Sequence, residues 1–307
     1  MTFLSLALAL LLEQWRPLVD RRALFAPVAG FADFLERKLN AGQAQEGLMA
    51  WFGVVIPAVL LAWFLYSVLY SVTPLLGLAF NVAVLYATTG FRQESHFFTD
   101  INRALREGDL ATARRLLGEF RGQNCEALSA NEIASLAIED ALAVSHRHVF
   151  GPIFWFALLP GPSGAVLYRV ARFLARHWGA RSDPDFGRFG EFGRRAFAAL
   201  DWLPVRATAV SFAIVGDFAD AFDCWRTQAA SWRDPLLGVV LASGAGAMGV
   251  KIGTAFPRGE GSEERPELGT GEPAEPAHLD TTVGLIWRAL VVWLVLLGVL
   301  SIVAAVS

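Results

Sequence analysis

The fold is decided by 25 residues without a charge, LMAWFGVVIPAVLLAWFLYSVLYSV, which run from Leu48 to Val72. An α-helix rises about 1.5 Å per residue, so roughly 20 apolar residues cross the ~30 Å hydrocarbon core of a bilayer. This stretch is long enough to do so. It therefore predicts a transmembrane helix and makes the lipid bilayer the first predicted partner.

Two more apolar runs indicate a protein that crosses the membrane several times. The run Thr73 to Thr89 follows at once, with Pro74 near its start, and predicts the second arm of a helical hairpin. Val283 to Val306 predicts a final span in which only Arg288 is charged. That arginine lies near one end, where it can reach the interface, so we interpret it as an anchor and not as a functional charge. The chain is 54% hydrophobic and 18% charged, against about 25% charged residues in soluble domains.

The N-terminal region leaves two alternatives open. An apolar run ends at Leu12 and is followed by Glu13 and Arg16. It can cross the bilayer by extending to Val19, or it can lie in the interface as a short helix. Residues 17–46 are mixed in character, with basic residues at Arg21, Arg22, Arg37 and Lys38. Apolar side chains recur there at helical spacing and predict an amphipathic helix on the membrane surface.

Residues 92–147 have the composition of a soluble helical insert. Asp109 is a candidate N-cap, and the sequence Ser129-Ala-Asn-Glu132 is a capping box that predicts the start of a second helix. Lys and Arg flank the hairpin on both sides, and by the positive-inside rule both flanks are expected in the cytoplasm.

The segment from Phe150 to Val170 is apolar but interrupted by Pro152, by Pro160-Gly-Pro162 and by Gly164. Proline removes a backbone donor and breaks a helix. Such a break is tolerated at membrane depth only where protein or water satisfies the freed groups. The segment therefore predicts a broken or re-entrant element.

These observations predict an all-α, polytopic helical membrane protein with broken or re-entrant segments and a cytoplasmic helical insert. The remaining stretches are short apolar runs at Ala207–Gly216 and Leu236–Gly253 and a segment rich in Pro, Gly and Glu that follows them. The last predicts a disordered linker. The predicted regions are N-terminal membrane helices at 1–91, the insert at 92–147, a core at 148–256, the linker at 257–282 and the C-terminal helix at 283–307.

Composition and motifs exclude several classes of protein. A net charge of −3 gives no reason to expect a nucleic-acid partner. No phosphate-binding loop or zinc-type histidine spacing occurs in the sequence, and no metal site is predicted. Cys125 and Cys224 are expected to be ordinary thiols, although a disulfide between them remains an alternative.

Two polar clusters are candidate sites. The first precedes the broken segment and contains Glu139, Asp140, Ser145, His146, Arg147 and His148. Its histidine pair can bind metal or sense pH, but we prefer to interpret the cluster as a basic anchor at the membrane interface. Glu139, Asp140, Arg147 and His148 are its candidate ligand-binding residues. Asp201 and Arg206 flank a membrane boundary. They can hold a phosphate-bearing ligand or form a structural ion pair, which is the alternative we prefer.

Eight short motifs resemble, in order and spacing, the CobD/CbiB membrane proteins and their relatives of the AmpE type. The resemblance covers residues 24–253 and is carried by Gly108–Arg114, Leu128, Glu132-Ile133, Ile138-Glu139, Gly151–Trp155, Gly161–Arg169, Leu203–Arg206 and Gly246–Gly253. It adds Tyr168 and Arg169, which close one of these motifs, to the candidate ligand-binding residues.

The resemblance implies two different functions. CobD/CbiB proteins join an aminopropanol arm to a corrinoid carboxylate in an ATP-dependent amide synthesis. That family places acids where this chain has Ala143, Val144, Arg147 and His148, and amide synthesis with magnesium-ATP needs carboxylates to hold the metal. The AmpE-type relatives lack the same acids and are inner-membrane proteins associated with β-lactamase induction.

The missing acids favour the AmpE-type branch. The first expectation is accordingly a non-catalytic, inner-membrane modulator of envelope signalling, with an envelope or cytoplasmic regulatory partner. The alternative is an adenosylcobinamide-phosphate synthase that uses magnesium-ATP. Whether the chain is an enzyme, and which cofactor it uses, stay open at this point.

Overall fold

A computed structural model describes residues 2–16, 21–181, 186, 188–253 and 265–306 of the chain. The described part is built from α-helices, with one short pair of strands. The helices of the first half are α1 (Thr2–Trp15), α2 (Arg21–Leu39), α3 (Ala44–Val72), α4 (Pro74–Thr88), α5 (Phe91–Arg106), α6 (Leu110–Arg121) and α7 (Ala130–Ser145). They are followed by α8 (Gly151–Leu158), α9 (Ser163–His177), α10 (Glu191–Val215), α11 (Phe218–Gln228), α12 (Pro235–Met248) and α13 (His278–Val306). The all-α prediction is confirmed.

Three of these helices, α3, α10 and α13, are long and apolar enough to cross a membrane. Large apolar side chains cover their outer surfaces. In α3, for example, Leu61 and Phe64 are each 58% exposed. Apolar surface of this extent is typical of a lipid-facing helix. The chain is a multi-pass membrane protein.

The long helix α10 was not predicted as a span. The sequence pattern predicts only a short apolar run, Ala207–Gly216, because Asp201 and Arg206 interrupt the pattern before it. In the structure both residues lie within one helix, Glu191–Val215. A span can keep such charges where its own fold surrounds them, and Asp201 is buried.

The chain divides into two compact units. The first contains Met1–Gly90, His148–Pro204 and Leu297–Ser307, and the second contains Phe91–Arg147 and Val205–Leu296. The second unit thus combines the predicted insert, 92–147, with part of the region that we predicted as a separate core, 148–256.

In the first unit, α3 packs against α2, α4 and α9. Its core contains Trp51 and Val54 of α3, Leu174 of α9 and the aromatic rings of Trp178 and Phe189. Small residues allow the close contacts, because a Cβ on Gly47 would collide with the carbonyl group of Phe189. The short helices α1 and α4 also pack against each other.

The predicted break between 150 and 170 is present. Helix α8 ends at Leu158, and α9 begins at Ser163 after a turn in which Gly161 has a positive φ of 60°. The two helices then pack closely, since a Cβ on Gly164 would collide with the carbonyl oxygen of Trp155. The proline and glycine residues therefore end one helix and let the next fold against it.

In the second unit both predicted helix caps are present. The Asp109 carboxylate accepts a hydrogen bond from Thr112 N at 2.9 Å. Ser129 Oγ accepts one from Glu132 N at 3.3 Å, and Glu132 Oε2 accepts one from Ser129 N at 2.7 Å. Each cap satisfies backbone donors that the first turn of a helix leaves open.

Part of the predicted linker, 257–282, is ordered. Its residues up to 264 lie outside the described residues, but Leu268 is fully buried and exchanges backbone hydrogen bonds with Ile252 at 2.8 and 2.9 Å. The strands β1 (Val250–Lys251) and β2 (Glu272–Pro273) pair in parallel. Helix α13 then begins at His278, five residues before the predicted boundary of 283. Composition alone does not predict this order, because residues 268–274 are held by partners at residues 250–252, before the linker begins.

Candidate functional site

Helix α7 places two acidic side chains, Glu139 and Asp140, in the interior of the second unit. The capping box at Ser129 fixes where this helix begins, and the helix buries Ile133, Leu136 and Leu142 along with Glu139. The Glu139 side chain is only 4% exposed, whereas Asp140 is 25% exposed. A carboxylate buried this deeply requires cationic or hydrogen-bonding partners.

Two arginines supply those partners. Arg121, the last residue of α6, holds both oxygens of Asp140, with Nε–Oδ2 at 2.7 Å and Nη2–Oδ1 at 2.9 Å. Its Nη2 also donates to the Leu136 carbonyl at 3.2 Å. Arg265, which follows the undescribed part of the linker, donates from Nη1 to Glu139 Oε2 at 2.9 Å. The paired contact between Arg121 and Asp140 is bidentate, which is the strong form of an arginine–carboxylate interaction.

These residues line a cavity of about 220 Å³, which we call the Glu139 cavity. Both polar and apolar residues line it: Arg121, Gln123, Glu139, Asp140, Ala143, Arg147, Trp232, Leu237, Leu241 and Arg265. The Arg265 guanidinium lies 4.8 Å from the centre of the Trp232 ring. Arg147 forms an ion pair with Asp234, with Nη2–Oδ2 at 3.6 Å.

The two carboxylate oxygens of Glu139 differ in their hydrogen bonding. Oε2 accepts hydrogen bonds from Arg265 and, at 3.4 Å, from Arg121. Oε1 is buried and has no hydrogen-bond partner within the described ranges of the chain. A buried oxygen without a hydrogen-bond partner costs free energy, which makes Oε1 a candidate acceptor for a donor group on a bound molecule.

Burial also raises the pKa of both acids. Desolvation raises the pKa of the Glu139 carboxyl above its usual 4.5, and Arg265 and Arg121 only partly oppose it. Desolvation likewise raises the pKa of Asp140, against the opposing charge of Arg121. Perturbed carboxyl groups in a cavity with specific charge partners are frequent at functional sites.

The structure brings together three of the eight residues predicted for the site. Glu139, Asp140 and Arg147 all line the Glu139 cavity. Tyr168 and Asp201 contact each other in the first unit, where the Tyr168 hydroxyl donates to Asp201 Oδ1 at 2.8 Å. A Cβ on Gly151 would collide with that tyrosine ring, which accounts for the glycine.

The other three predicted residues do not line the Glu139 cavity. The Arg169 guanidinium lies 5.5 Å from the Phe25 ring centre, and the His148 carbonyl accepts a hydrogen bond from Gly90 N at 3.3 Å. Arg206 is partly buried on α10. The neighbouring His146 is buried and contacts Thr208 Oγ1 at 2.9 Å, so its ring has a structural partner.

Sequence reasoning missed Arg121, Trp232 and Arg265. The sequence pattern predicts that Arg121 is a surface arginine at the end of a helix, and Arg265 falls within the predicted linker. The sequence does contain one signal for a buried cationic partner. Two adjacent carboxylates, Glu139 and Asp140, lie in a largely apolar stretch of α7.

A π-helical turn, His146–Phe150, follows α7 directly and contains the predicted residues Arg147 and His148. Single π-helical turns are rare and are frequent at functional sites. The turn includes two of the four positions, Arg147 and His148, at which the resemblance leads us to expect acids.

A second polar group lies in the first unit, although no metal site was predicted. Ligand atoms of Asp33, Glu36 and His177 lie within 4.8 Å of one another. His177 Nε2 is 2.6 Å from Asp33 Oδ1, and Arg181 Nη1 is 2.5 Å from Glu36 Oε1. These contacts connect α2 to α9 and its C-terminal turn, and they engage the carboxylates within the protein.

The fold and the cavity define a class of protein, a polytopic helical membrane protein with a buried arginine–carboxylate site. The model of the CobD/Cbib protein family matches residues 6–286. The chain therefore belongs to the CobD/CbiB family.

Curated relatives match over almost the whole chain. A protein of Stutzerimonas stutzeri (strain A1501) named Cobalamin biosynthesis protein CobD is 35% identical, over 96% of each chain. A protein of the same name from Chromobacterium violaceum is 33% identical, over 99% of this chain and 96% of its own. A third, from Halalkalibacterium halodurans, is 25% identical over 97% of this chain. No solved structure gives a significant match.

These relatives correct our first functional prediction. The expected AmpE-type signalling modulator is contradicted, since the relatives are named for cobalamin biosynthesis at 33–35% identity along nearly the full length. The regulatory partner expected with that role loses its basis. The prediction gave too much weight to Ala143–His148 and too little to a resemblance spread over the whole chain.

Proposed function

We propose that this chain acts in cobalamin biosynthesis, as the names of its relatives state. Near-full-length identity of 35% to the Stutzerimonas stutzeri protein is the observation that carries the proposal. We further propose the step that the family resemblance implies, which is the formation of an amide between an aminopropanol arm and a corrinoid carboxylate.

The Glu139 cavity has groups that suit this reaction. Amide formation joins an amine to a carboxyl group that ATP has first activated as an acyl phosphate or acyl adenylate. The C–N bond forms, phosphate or AMP leaves, and the amine gives up a proton. The guanidinium groups that line the cavity can bind carboxylate or phosphate oxygens. The open Oε1 of Glu139 can accept a hydrogen bond from the amine and orient it. Glu139 would then act on the substrate directly, while Arg121 and Arg265 hold its carboxylate in place.

The same cavity does not fit a magnesium site. Magnesium is bound through carboxylate oxygens that retain water around the ion. Here Asp140 is taken on both oxygens by Arg121, and Oε2 of Glu139 is taken by Arg265. Three guanidinium groups in the wall would also repel a divalent cation. We therefore assign no step at this cavity to magnesium-ATP.

Complementation tests the proposed function. A bacterial strain that lacks its own synthase, and that requires cobalamin for growth, should grow when it expresses the wild-type chain. Glu139→Gln keeps the shape of the side chain but weakens its hydrogen-bond acceptor, and growth should be lost. The matched control is Glu119→Gln, which changes an exposed glutamate on α6 and should leave growth intact.

The outcomes separate the function from the site. No growth with wild-type chain that is present in the membrane fraction would refute the proposed function. Normal growth with Glu139→Gln would leave the function in place but remove Glu139 from the site. Protein levels in the membrane fraction are measured for every variant.

We also propose that the chain resides in the bacterial inner membrane with residues 92–147 in the cytoplasm. The support is the distribution of Lys and Arg around α3 and α4. Glu126 lies in an exposed turn of this segment, and the native Cys125 and Cys224 are buried. Glu126→Cys should resist a membrane-impermeant thiol reagent in intact spheroplasts and react after lysis. Labelling before lysis would overturn this topology.

A further inference from the structure

Residues 265–274 form a strap, a segment that lies along the end of α12 and carries Arg265 at its start. Three sets of backbone contacts hold it. Leu268 exchanges two hydrogen bonds with Ile252, the strand β2 pairs with β1, and Ala274 N donates to Lys251 O at 3.0 Å. A strand pair of two residues is too short to be stable by itself. The strap therefore depends on additional contacts.

The strap approaches the protein backbone closely at Gly269. This residue has a positive φ of 99°, and a Cβ added there would collide with the carbonyl oxygen of Val250. Only glycine combines that conformation with so close an approach. The backbone amide and the carbonyl of Gly269 both form hydrogen bonds with one side chain.

Gln228, the last residue of α11, supplies both partners. Its Oε1 accepts a hydrogen bond from Gly269 N at 2.6 Å, and its Nε2 donates to Gly269 O at 3.1 Å. A 3₁₀ turn, Ala229–Ser231, leads directly from Gln228 to Trp232. Trp232 lies against the Arg265 guanidinium. One short segment thus contacts the strap at two points, its side-chain amide at Gly269 and its indole ring at Arg265.

We propose that Gln228 is a positioning residue that fixes the strap so that Arg265 stays at Oε2 of Glu139. This inference rests on the proposed function, because the positioned group serves the reaction at the Glu139 cavity. Gln228 is not among the residues that line the cavity, and it acts through Arg265. Without the amide of Gln228, Gly269 loses two hydrogen bonds, and Arg265 loses its fixed distance of 2.9 Å from Glu139.

A double-mutant cycle on purified protein tests this coupling. Amide formation is measured for wild type, Gln228→Ala, Arg265→Ala and the double variant. Losing about 1.4 kcal/mol of transition-state stabilisation lowers kcat/KM about tenfold, and we expect an effect of this order for Gln228→Ala. In the Arg265→Ala background the same change should cost less than about twofold, because the residue through which Gln228 acts is gone.

Hydrogen exchange of the strap gives a second readout that does not depend on activity. The peptide that covers residues 265–274 should exchange faster in Gln228→Ala, because Gly269 N loses its acceptor. The matched control is Thr227→Ala, an exposed neighbour whose hydroxyl donates within its own helix, to Asp223 O at 2.8 Å. It should change neither activity nor exchange.

Each result decides the proposal. Additive losses in the cycle, or unchanged exchange of the strap in Gln228→Ala, would overturn it. If the wild-type chain forms no amide, the proposed function fails and the exchange measurement alone decides. Faster exchange in Gln228→Ala but not in Thr227→Ala then supports positioning by Gln228, and unchanged exchange refutes it.

Discussion

Helices α3 and α7 use polar and apolar residues in opposite ways. In α3 many large apolar side chains, such as Leu61 and Phe64, face outward, while small residues such as Gly47 and Ala50 are buried beside Trp51. In α7 the apolar side chains are buried, and a carboxylate, Glu139, is buried with them. The first arrangement needs only a bilayer around it. The second needs specific partners, and those partners come from parts of the chain far away in sequence.

The largest expected effect comes from removing the partner that α7 depends on most. Arg121→Ala leaves Asp140 without either of its arginine hydrogen bonds and Glu139 with one arginine fewer. Breaking a buried ion pair on one side costs about 3–5 kcal/mol of unfolding free energy. Chemical denaturation in detergent should show a loss of this size.

The control for that experiment lies on the same helix. Arg115 forms an exposed pair with Glu119 at 2.7 Å, and pairs of this kind contribute about 0–1 kcal/mol. Arg115→Ala should therefore be close to wild type. Equal losses in the two variants would mean that the buried cluster contributes no more than a surface ion pair.

A second, smaller effect is expected in the first unit, where close packing, and not charge, restricts the substitutions that the fold tolerates. A Cβ on Gly164 would collide with the backbone of Trp155, so Gly164→Ala must push α8 and α9 apart. Overpacking of this kind costs about 1–3 kcal/mol. The control is Gly284→Ala in α13, where a Cβ would meet no atom within 4 Å. It should be neutral or stabilising, because alanine favours the helix.

The difference between α3 and α7 also explains what the sequence could predict. Hydropathy over a window of residues identified α3 and α13 as spans, and turn residues identified the break between α8 and α9, because these signals are local. Caps such as Asp109 and Ser129 were predictable for the same reason. The Glu139 cavity was only half predictable. Its acids are adjacent in α7, but Arg265 lies 126 residues further on.

The errors have the same origin. Residues 265–274 have a linker-like composition, and they are ordered because Ile252 and Gln228 offer backbone and side-chain partners. The functional prediction failed in a similar way. It relied on four substituted positions, whereas the identity to proteins named for cobalamin biosynthesis extends along the chain.

The pH dependence of stability should report on Glu139 specifically. Burial raises its pKa in the folded state above the usual 4.5. The folded protein then binds the proton more tightly than the unfolded chain, so its stability falls as pH rises from 4.5 through the raised pKa. Glu139→Gln cannot ionise and lacks this contribution.

The measurement is a thermal unfolding series in detergent from about pH 5 to about pH 8. The unfolding midpoint of wild type minus that of Glu139→Gln should decrease as pH increases. Glu119→Gln is again the control, and its difference from wild type should stay flat. A wild-type advantage that grows with pH would show that the arginines outweigh burial.

The smallest predicted effect concerns the start of α7. Ser129 Oγ accepts the hydrogen bond of Glu132 N, and Ser129→Ala leaves that donor of the first turn open. Loss of such a cap costs about 1 kcal/mol.

The control lies in α3. There, Ser67 Oγ donates to Trp63 O in its own helix at 2.8 Å, and a bond of this type adds little to helix stability. Ser67→Ala should therefore change the free energy of unfolding very little. Because the cap fixes the first turn of the helix that carries Glu139, Ser129→Ala should also weaken complementation slightly, while Ser67→Ala should not. Equal effects of the two variants on stability would mean that the cap does not set the position of α7, and that its place depends on the arginines alone.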